Sequence, residues 1–135
     1  MKYMLDTNML IFLMRNRPVS VAIQERIARH NKSEICISVI TLAELELGVC
    51  RSSNPQINTI TLSRVLSGIA VLPFDASAAA AYGEICADLY RRGLKIGAMD
   101  TLIAAHAASE GLTLVTNNTR EFERVKGLTI EDWVG

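Results

Sequence analysis

MKYMLDTN, residues 1–8, contains the end of a first strand and the start of a first helix, and the two meet at a carboxylate. Residues 3–5 are an apolar run too short for a helix and predict a buried strand, whereas the apolar run at residues 9–14 has helical length. Asp6 is therefore expected at a strand-to-helix junction. In open α/β sheets ligands bind at such junctions, along the carboxyl ends of the strands. Residues 6–8 are also ordinary helix-capping types, so this stretch alone permits either role.

The rest of the chain repeats this alternation of short strands and helices. Short apolar runs predict further strands at residues 35–37, 69–72, 112–115 and 128–130. Helical periodicity fills the stretches between them, and the longest predicted helix, residues 76–92, is rich in alanine. The alternation predicts an α/β fold, with a central parallel sheet of four to five strands and helices on both faces. With 135 residues, the chain is expected to form one domain over residues 1–135.

Composition narrows the class of protein. Fourteen basic and fourteen acidic residues give a formal charge of zero, which argues against a general nucleic-acid-coating protein. The three cysteines lie in apolar segments without zinc-site spacing and are expected to be reduced core residues. Asp6 interrupts the first apolar stretch, and no apolar run approaches membrane-spanning length. These observations predict a cytoplasmic protein that is neither exported nor membrane-bound.

Basic residues nevertheless form local groups. These groups are Arg15 with Arg17, Arg91 with Arg92 and Lys95, and Arg120 with Arg124 and Lys126. Each group taken singly is expected to be a solvated helix end, because exposed Lys and Arg are the norm. If the acids that lie in apolar settings hold metal ions, the remaining surface is net basic.

Glu44 lies in a predicted helix, residues 39–51, in which nearly every other position is apolar. It shares a stripe with Ile40, Ala43 and Leu47, so the pattern predicts a helix buried on more than one side. An ionised glutamate in that setting is costly unless it is paired or bound to a metal. The alternative is that Glu44 faces an arginine or the solvent.

Asp100 opens another predicted helix, residues 99–109, where free N–H groups favour a carboxylate. It shares a stripe with Ile103, Ala104 and Ala107, the face that must press on the sheet. Capping explains the position of Asp100 but not this stripe. Its side chain is therefore expected to point along the sheet, toward the edge where Asp6 emerges.

The fourth predicted strand ends in polar residues that complete the pattern. Thr116 and Asn118 follow this strand, and Glu121 comes one turn later. In a parallel sheet these strand ends open on one edge. Three or four oxygen ligands, with no His or Cys at ligand spacing, select a hard divalent cation such as Mg²⁺ or Mn²⁺. Such a site performs phosphoryl transfer, because the metal activates water and neutralises phosphate charge.

Four motifs in order now resemble a known family. They are residues 4–8 (MLDTN), Ser38 with residues 41–45 (TLAEL) and Gly48, Asp100 with residues 103–104 (IA), and residues 116–118 (TNN) with residues 121–122 (EF). Each motif is weak alone, but together they resemble a PIN-domain ribonuclease of the VapC type, the toxin of a type II toxin–antitoxin pair. The resemblance covers essentially the whole chain.

This resemblance implies both a fold and an activity. It implies a PIN-like three-layer α/β/α fold, endoribonuclease activity with Mg²⁺ or Mn²⁺, a homodimer, and a VapB-type antitoxin whose tail occupies the site. Position by position, Asp6, Glu44 and Asp100 match the three core acids, and Thr7, Thr116, Asn118 and Glu121 are supporting residues. The ending at residues 117–122 (NNTREF) resembles the group that cuts initiator tRNA in its anticodon loop, so a tRNA substrate follows by analogy.

The fourth acid of the family, usually Asp, falls near Asn118 in this chain. Three arrangements are open at this point. Asn118 ligates directly through its amide oxygen, or Glu121 reaches into the site, or one metal suffices until the phosphate arrives.

Two other functions compete with this prediction. A phosphatase of the haloacid dehalogenase class also has an Asp after its first strand, but it needs a second Asp two residues later, where this chain has Asn8. It also needs a later lysine, and none occurs at residues 97–124. The other competitor is a non-catalytic PIN-like module that binds RNA or a partner. A degraded site would normally lose acids, whereas three remain here.

Overall fold

A computed structural model describes residues 1–15 and 18–134 of the chain. Within these ranges five short strands form one sheet: β1 (Tyr3–Leu5), β2 (Ile35–Ser38), β3 (Ala70–Leu72), β4 (Thr113–Val115) and β5 (Thr129–Glu131). Their order is β3-β2-β1-β4-β5, and every neighbouring pair is parallel. The predicted parallel sheet is therefore confirmed. Arg17, one of the predicted basic residues, lies outside the described ranges.

Helices fill the connections between the strands. They are α1 (Thr7–Arg15), α2 (Pro18–Ala28), α3 (Val39–Cys50), α4 (Pro55–Val65), α5 (Ala76–Arg91), α6 (Ala98–Ser109) and α7 (Thr119–Phe122). A short 3₁₀ turn, Lys32–Glu34, precedes β2. The helices α5 and α6 each end two residues before a glycine in the left-handed region, Gly93 and Gly111, where a side chain would be strained.

Two buried apolar clusters, one on each face of the sheet, separate the sheet from the two layers of helices. Because side chains alternate along a strand, Leu5 and Met4 point to opposite faces of the sheet. Leu5 packs in a cluster with residues of α1 to α4, whereas Met4 packs with residues of α6 and α7. Helices therefore cover both faces of the sheet, as the predicted α/β/α fold requires.

Strand order determines where a ligand can bind. The chain leaves β1 for β2 and β3 on one side and later returns to β4 and β5 on the other side. The crevice between the carboxyl ends of β1 and β4 is therefore the topological switch point, the usual binding site of open α/β sheets. Asp6 follows β1 and Thr116 follows β4, so both predicted site residues enter this crevice.

Two predictions about burial are wrong. Only one face of α3 is buried, through Thr41, Leu45 and Val49, whereas Leu47 is 58% exposed. The heavily apolar sequence of α3 predicted burial on more than one side, but within one chain no described element covers its second face. Among the cysteines, all free, Cys36 is buried as predicted but Cys50 is exposed at the end of α3. No helix in the described ranges is both long and apolar enough to cross a membrane.

Candidate active site

Asp6 is the most deeply buried acid of the crevice, with 4% of its surface exposed. Its Oδ1 accepts a hydrogen bond from the backbone N–H of Met9 at 3.1 Å, so it caps α1. Its Oδ2 accepts a hydrogen bond from the Thr116 hydroxyl at 2.5 Å. Asp6 therefore caps a helix and also faces the crevice, and the two roles considered from the sequence coexist.

Thr116 links the two central strand ends. Its hydroxyl donates to Asp6 and at the same time accepts the backbone N–H of Asn118 at 2.9 Å. Because Thr116 is fully buried, these two hydrogen bonds hold its hydroxyl in one orientation. The carboxylate of Asp6 is thereby fixed from the β4 side as well as from α1.

Glu44 reaches the crevice from α3 through a threonine of α1. The Thr7 hydroxyl donates to Glu44 Oε1 at 2.5 Å, and Thr41 Oγ1 lies 3.3 Å from Thr7 Oγ1. Since Thr7 has a single hydroxyl proton, Thr41 must be the donor in the second bond. The buried Thr41 was quoted in a sequence motif but not identified as a site residue. The only sequence feature that could have indicated a role for Thr41 is that it is a polar residue one turn before Glu44 on an otherwise apolar helix.

Asp100 is the third residue of α6 and is half-buried. The stripe predicted to press on the sheet, Ile103, Ala104 and Ala107, is fully buried, so the predicted orientation of α6 is confirmed. Within residues 1–15 and 18–134, no group donates a hydrogen bond to the Asp100 carboxylate at bonding distance. Unlike Asp6, this acid is left free to bind a ligand.

Asn118 and Glu121 act as a unit. Asn118 Nδ2 donates to Glu121 Oε2 at 2.6 Å, and the backbone N–H of Gly97 donates to Glu121 Oε1 at 3.1 Å. The side chain of Asn118 thus supports the carboxylate of Glu121. Gly97 is the residue before α6, so this contact ties α7 to the start of the helix that carries Asp100.

Electrostatics connect the four acids through Asp100. Burial raises the pKa of Asp6 to about 6, against the lowering effect of its hydrogen bonds from Thr116 and Met9, and the charge of Asp100 adds to the rise. Burial also raises the pKa of Asp100 to about 6, and the charges of Glu121 and Glu44 contribute. Asp100 therefore links the acids electrostatically, because its charge acts on Asp6 and the charges of Glu121 and Glu44 act on it.

The donor set fits a hard divalent cation. Among the described residues, no Lys, Arg or His forms an ion pair with Asp6, Glu44, Asp100 or Glu121. In the same ranges no group of three or more His, Cys, Asp or Glu residues is arranged to hold a metal ion. The crevice does offer carboxylate oxygens and uncompensated negative charge, which are the ligand chemistry that a hard divalent cation prefers.

His106 does not belong to the site. It is fully buried in the middle of α6, and its Nδ1 lies 2.7 Å from Ser38 Oγ, the residue that caps α3. Burial lowers its pKa, so the imidazole is neutral near pH 7. The prediction that His106 is a packed histidine rather than a base agrees with this placement.

Comparisons with known proteins identify the family. The model of the PIN domain family matches residues 3–128. The tRNA(fMet)-specific endonuclease VapC of Shigella flexneri is 49% identical over 133 residues, which cover 98% of each chain. A solved structure of DNA-bound VapBC from Salmonella typhimurium matches with a TM-score of 0.93 and 47% identity, over 98% of each chain. VapBC2 from Rickettsia felis, bound to a DNA fragment from its promoter, matches with a TM-score of 0.89 and 40% identity, over 98% of this chain and 99% of the other.

Proposed function

The chain belongs to the PIN-domain family as a ribonuclease of the VapC type, and we propose that it is the toxin of a toxin–antitoxin pair that cleaves initiator tRNA in the anticodon loop. The substrate is inferred from the similarity to an enzyme named as tRNA(fMet)-specific. Membership of this family argues against the alternative of a haloacid dehalogenase-type phosphatase. The family match over residues 3–128 supports a single domain over residues 1–135, and a tRNA substrate implies action in the cytoplasm.

The observation that carries this proposal is the uncompensated negative charge at the switch point. Burial and neighbouring acids raise the pKa of both Asp6 and Asp100 to about 6. Buried carboxylates that repel one another destabilise a folded protein, and a bound cation relieves this repulsion. A non-catalytic module that only bound RNA would gain nothing from acids here, because they repel phosphate.

The residues divide into metal ligands and residues that orient them. Asp6, Glu44 and Asp100 are the proposed ligands of Mg²⁺ or Mn²⁺. Thr116 orients Asp6 and Thr7 orients Glu44, since each hydroxyl donates to its acid at 2.5 Å. Such supporting contacts are the means by which metal sites hold their ligands in place.

Glu121, rather than Asn118, is the proposed fourth ligand. The charge of Glu121 acts on Asp100, and its carboxylate is held by Asn118 Nδ2 and by the Gly97 N–H. Carboxylates are preferred over amides by Mg²⁺. Asn118, near which the family's usual fourth acid falls, is therefore an orienting residue, and the acid itself is Glu121, one turn later.

The chemistry is hydrolysis of an RNA phosphodiester. A bound Mg²⁺ or Mn²⁺ supplies the activation of water and the neutralisation of charge on the phosphate. Asp6, Glu44 and Asp100 would hold the cation at the switch point, where Asp6 is 4% exposed. The oxygen of a water molecule forms a new bond to phosphorus, the bond from phosphorus to one ribose oxygen breaks, and a proton from the water ends on that ribose oxygen.

A VapB-type antitoxin and a second copy of the chain are the proposed partners. The solved structures most relevant here are complexes named VapBC, which supports an antitoxin partner. A homodimer is supported by the exposed apolar face of α3, where Leu47 is 58% exposed, and by Met99 beside it at 48%. A surface depression of about 510 Å³ joins both residues to Glu44, so a second copy would bury apolar surface next to the acids.

Purified chain freed from antitoxin should cut initiator tRNA with Mg²⁺ or Mn²⁺, and EDTA should stop the reaction. The matched substrate is elongator methionine tRNA, whose anticodon loop should be cut far more slowly. Mapping the cut by gel electrophoresis of end-labelled RNA locates it. A mock purification from cells without the gene controls for contaminating nuclease. With a clean mock sample, cleavage that persists in EDTA, or that survives in Asp6→Asn, would contradict the metal mechanism. RNA binding without cleavage would favour the non-catalytic module.

A further inference from the structure

Basic side chains concentrate on one side of the acidic crevice. Six of the fourteen Lys and Arg residues fall in two short segments, the end of α5 with the following loop, and α7 with the following turn. These six are Arg91, Arg92, Lys95, Arg120, Arg124 and Lys126. The acids within these segments or in contact with their cations are Asp88, Glu121 and Glu123, so this surface is net positive on a chain of zero formal charge.

Two of the six residues, Arg92 and Arg124, bridge the two segments and are called the arginine lock. Arg92 Nη2 donates to the backbone carbonyl of Arg124 at 2.5 Å, and Arg124 Nη1 donates to the carbonyl of Lys95 at 2.6 Å. Asp88 holds Arg92 in turn, through Oδ2. Both guanidinium groups donate to backbone carbonyls. These contacts fix the loop before α6 against the turn that follows α7.

The arginine lock sets the segments that carry two other cations, Lys95 and Arg120, next to Glu121 and the start of α6. Lys95 lies two residues before Gly97, whose N–H donates to Glu121, and Arg120 directly precedes Glu121. Both side chains are exposed, and among the described residues neither has an ion-pair partner or a side-chain hydrogen bond. Arg91 and Lys126, farther along the same surface, have 71% and 73% exposed side chains and stand 3.9 and 4.0 Å from Asp88.

We propose that Lys95 and Arg120 bind RNA phosphates on one side of the scissile bond, and that Arg91 and Lys126 extend this phosphate-binding surface. The inference rests on the proposed ribonuclease function and assigns the surface on which its substrate lies. The acids at the centre of the site repel a polyanion, so substrate binding requires cations at their rim. Lys95 and Arg120 meet this requirement, because the arginine lock holds the backbone of Lys95 against the turn after α7 and neither side chain has an ion-pair partner among the described residues.

RNA affinity and its salt dependence test the assignment. In an Asp6→Asn background, the Lys95→Gln/Arg120→Gln variant should bind initiator tRNA at least tenfold more weakly. The slope of log affinity against log salt should fall by about 1 to 2, since each lost phosphate contact removes roughly 0.7 to 0.9. Phosphate contacts carry no sequence information, so an unrelated RNA of equal length should lose affinity by the same factor.

The chain offers a matched control at the other edge of the sheet. Arg29 and Arg64 are exposed near the amino-terminal ends of β2 and β3, and the variant Arg29→Gln/Arg64→Gln removes the same charge. This control should bind RNA like its parent. The charge-retaining variant Lys95→Arg/Arg120→Lys should also keep its affinity for RNA. Each single substitution to Gln should give part of the loss. Together these variants separate a folding defect from a lost phosphate contact.

Three results would overturn the assignment. One is unchanged affinity and salt slope in Lys95→Gln/Arg120→Gln while the wild-type chain still cuts tRNA, which leaves the proposed function standing. Another is weakened antitoxin binding with unchanged RNA binding, which would make the surface a protein contact. The third is a wild-type chain that neither binds nor cuts RNA, in which case the proposed function fails as well.

Discussion

At the residue scale, Asp6 illustrates how one carboxylate serves the fold and the site together. Its two oxygens are engaged separately, by the N–H of Met9 and the hydroxyl of Thr116. Both contacts favour the charged form, yet burial outweighs them and raises the pKa to about 6. In the metal-free protein this acid therefore opposes folding at neutral pH, and metal binding relieves the opposition.

Asp6→Asn should abolish cleavage while stabilising the metal-free protein at pH 7.5. With a folded pKa of about 6 and an ordinary value of 3.8, the folded state binds more protons than the unfolded state between these values. The free energy of unfolding therefore falls as pH rises through this window, by about 3 kcal/mol at about 1.4 kcal/mol per unit. The substitution removes this loss but also the charged hydrogen bond from Thr116, so we expect a net gain of about 1–2 kcal/mol.

Urea denaturation in EDTA at pH 5 and pH 7.5 measures this gain. Glu123→Gln, at an exposed position, is the control and should leave the free energy of unfolding unchanged at both pH values. If Asp6→Asn is less stable than the wild type at pH 7.5, the ionised carboxylate of Asp6 does not destabilise the metal-free protein. A cleavage rate within tenfold of the wild type would remove Asp6 from the ligand set.

Variants at Glu121 and Asn118 decide which of the two residues is the fourth metal ligand. Glu121→Gln removes a ligand charge and should weaken Mn²⁺ binding and cleavage by more than tenfold, because a neutral amide is a poor substitute for a carboxylate at such an ion. Asn118→Ala removes only an orienting hydrogen bond and should cost less, within the 10- to 100-fold range of supporting residues. Calorimetric metal titrations check both. A larger loss of metal affinity in Asn118→Ala than in Glu121→Gln would make Asn118 the fourth ligand. If neither variant loses metal affinity or activity, the metal is held by Asp6, Glu44 and Asp100 alone.

At the element scale, the two helices that carry Glu44 and Asp100 are joined by a buried pair. Ser38 ends β2 and caps α3, because its Oγ accepts the N–H of Ile40 at 3.0 Å. The same Oγ lies 2.7 Å from Nδ1 of His106 in α6. Since the Ser38 oxygen accepts from α3, its proton is available to His106, and one side chain couples both helices.

Ser38→Ala should cost more than the loss of an ordinary helix cap. Asn54 is the matched control, since it caps α4 through Ile57 in an exposed position. Asn54→Ala should lower the free energy of unfolding by about 1 kcal/mol. Ser38→Ala should lower it by about 2–4 kcal/mol, because it also leaves the buried Nδ1 of His106 unpaired. Urea denaturation of both variants is the measurement, and equal losses would mean that His106 finds another partner.

At the scale of the whole molecule, the exposed face of α3 indicates assembly. Leu47 and Met99 are large apolar side chains, 58% and 48% exposed, on the surface that also reaches Glu44. Small residues of α5, Ala79, Ala80 and Gly83, are exposed as well. The alanines of α6 at positions 104, 105 and 107 are buried and take no part in such a surface.

Leu47→Arg should convert the proposed homodimer to a monomer, because a charge placed at an apolar interface must be desolvated. Light scattering of the toxin alone should show the mass halved. The control is Val21→Arg, which introduces the same charge at a position on α2 that is 54% exposed and should leave the dimer intact. A wild-type chain that is monomeric at all concentrations would contradict the homodimer itself.

The sequence by itself determined the order of strands and helices and the angular position of the acids. Asp6 had to follow β1, because an apolar run of three residues stops there, and Asp100 had to face the sheet, because it shares a stripe with Ile103 and Ala104. Both conclusions rest on local periodicity, which a chain reveals without its fold. The motif resemblance added the family, and the comparison with known proteins confirmed it.

Only the tertiary structure decided how these residues meet. The contact of Thr116 with Asp6 spans 110 positions and that of Thr7 with Glu44 spans 37, so both depend on strand order and helix packing. The periodicity of α3 could not tell that its second apolar face would stay uncovered, since hydrophobicity shows which faces avoid water but not whether the covering surface belongs to the same chain. For the same reason the donor role of Asn118 toward Glu121 was open until the orientation of α7 against the start of α6 was known.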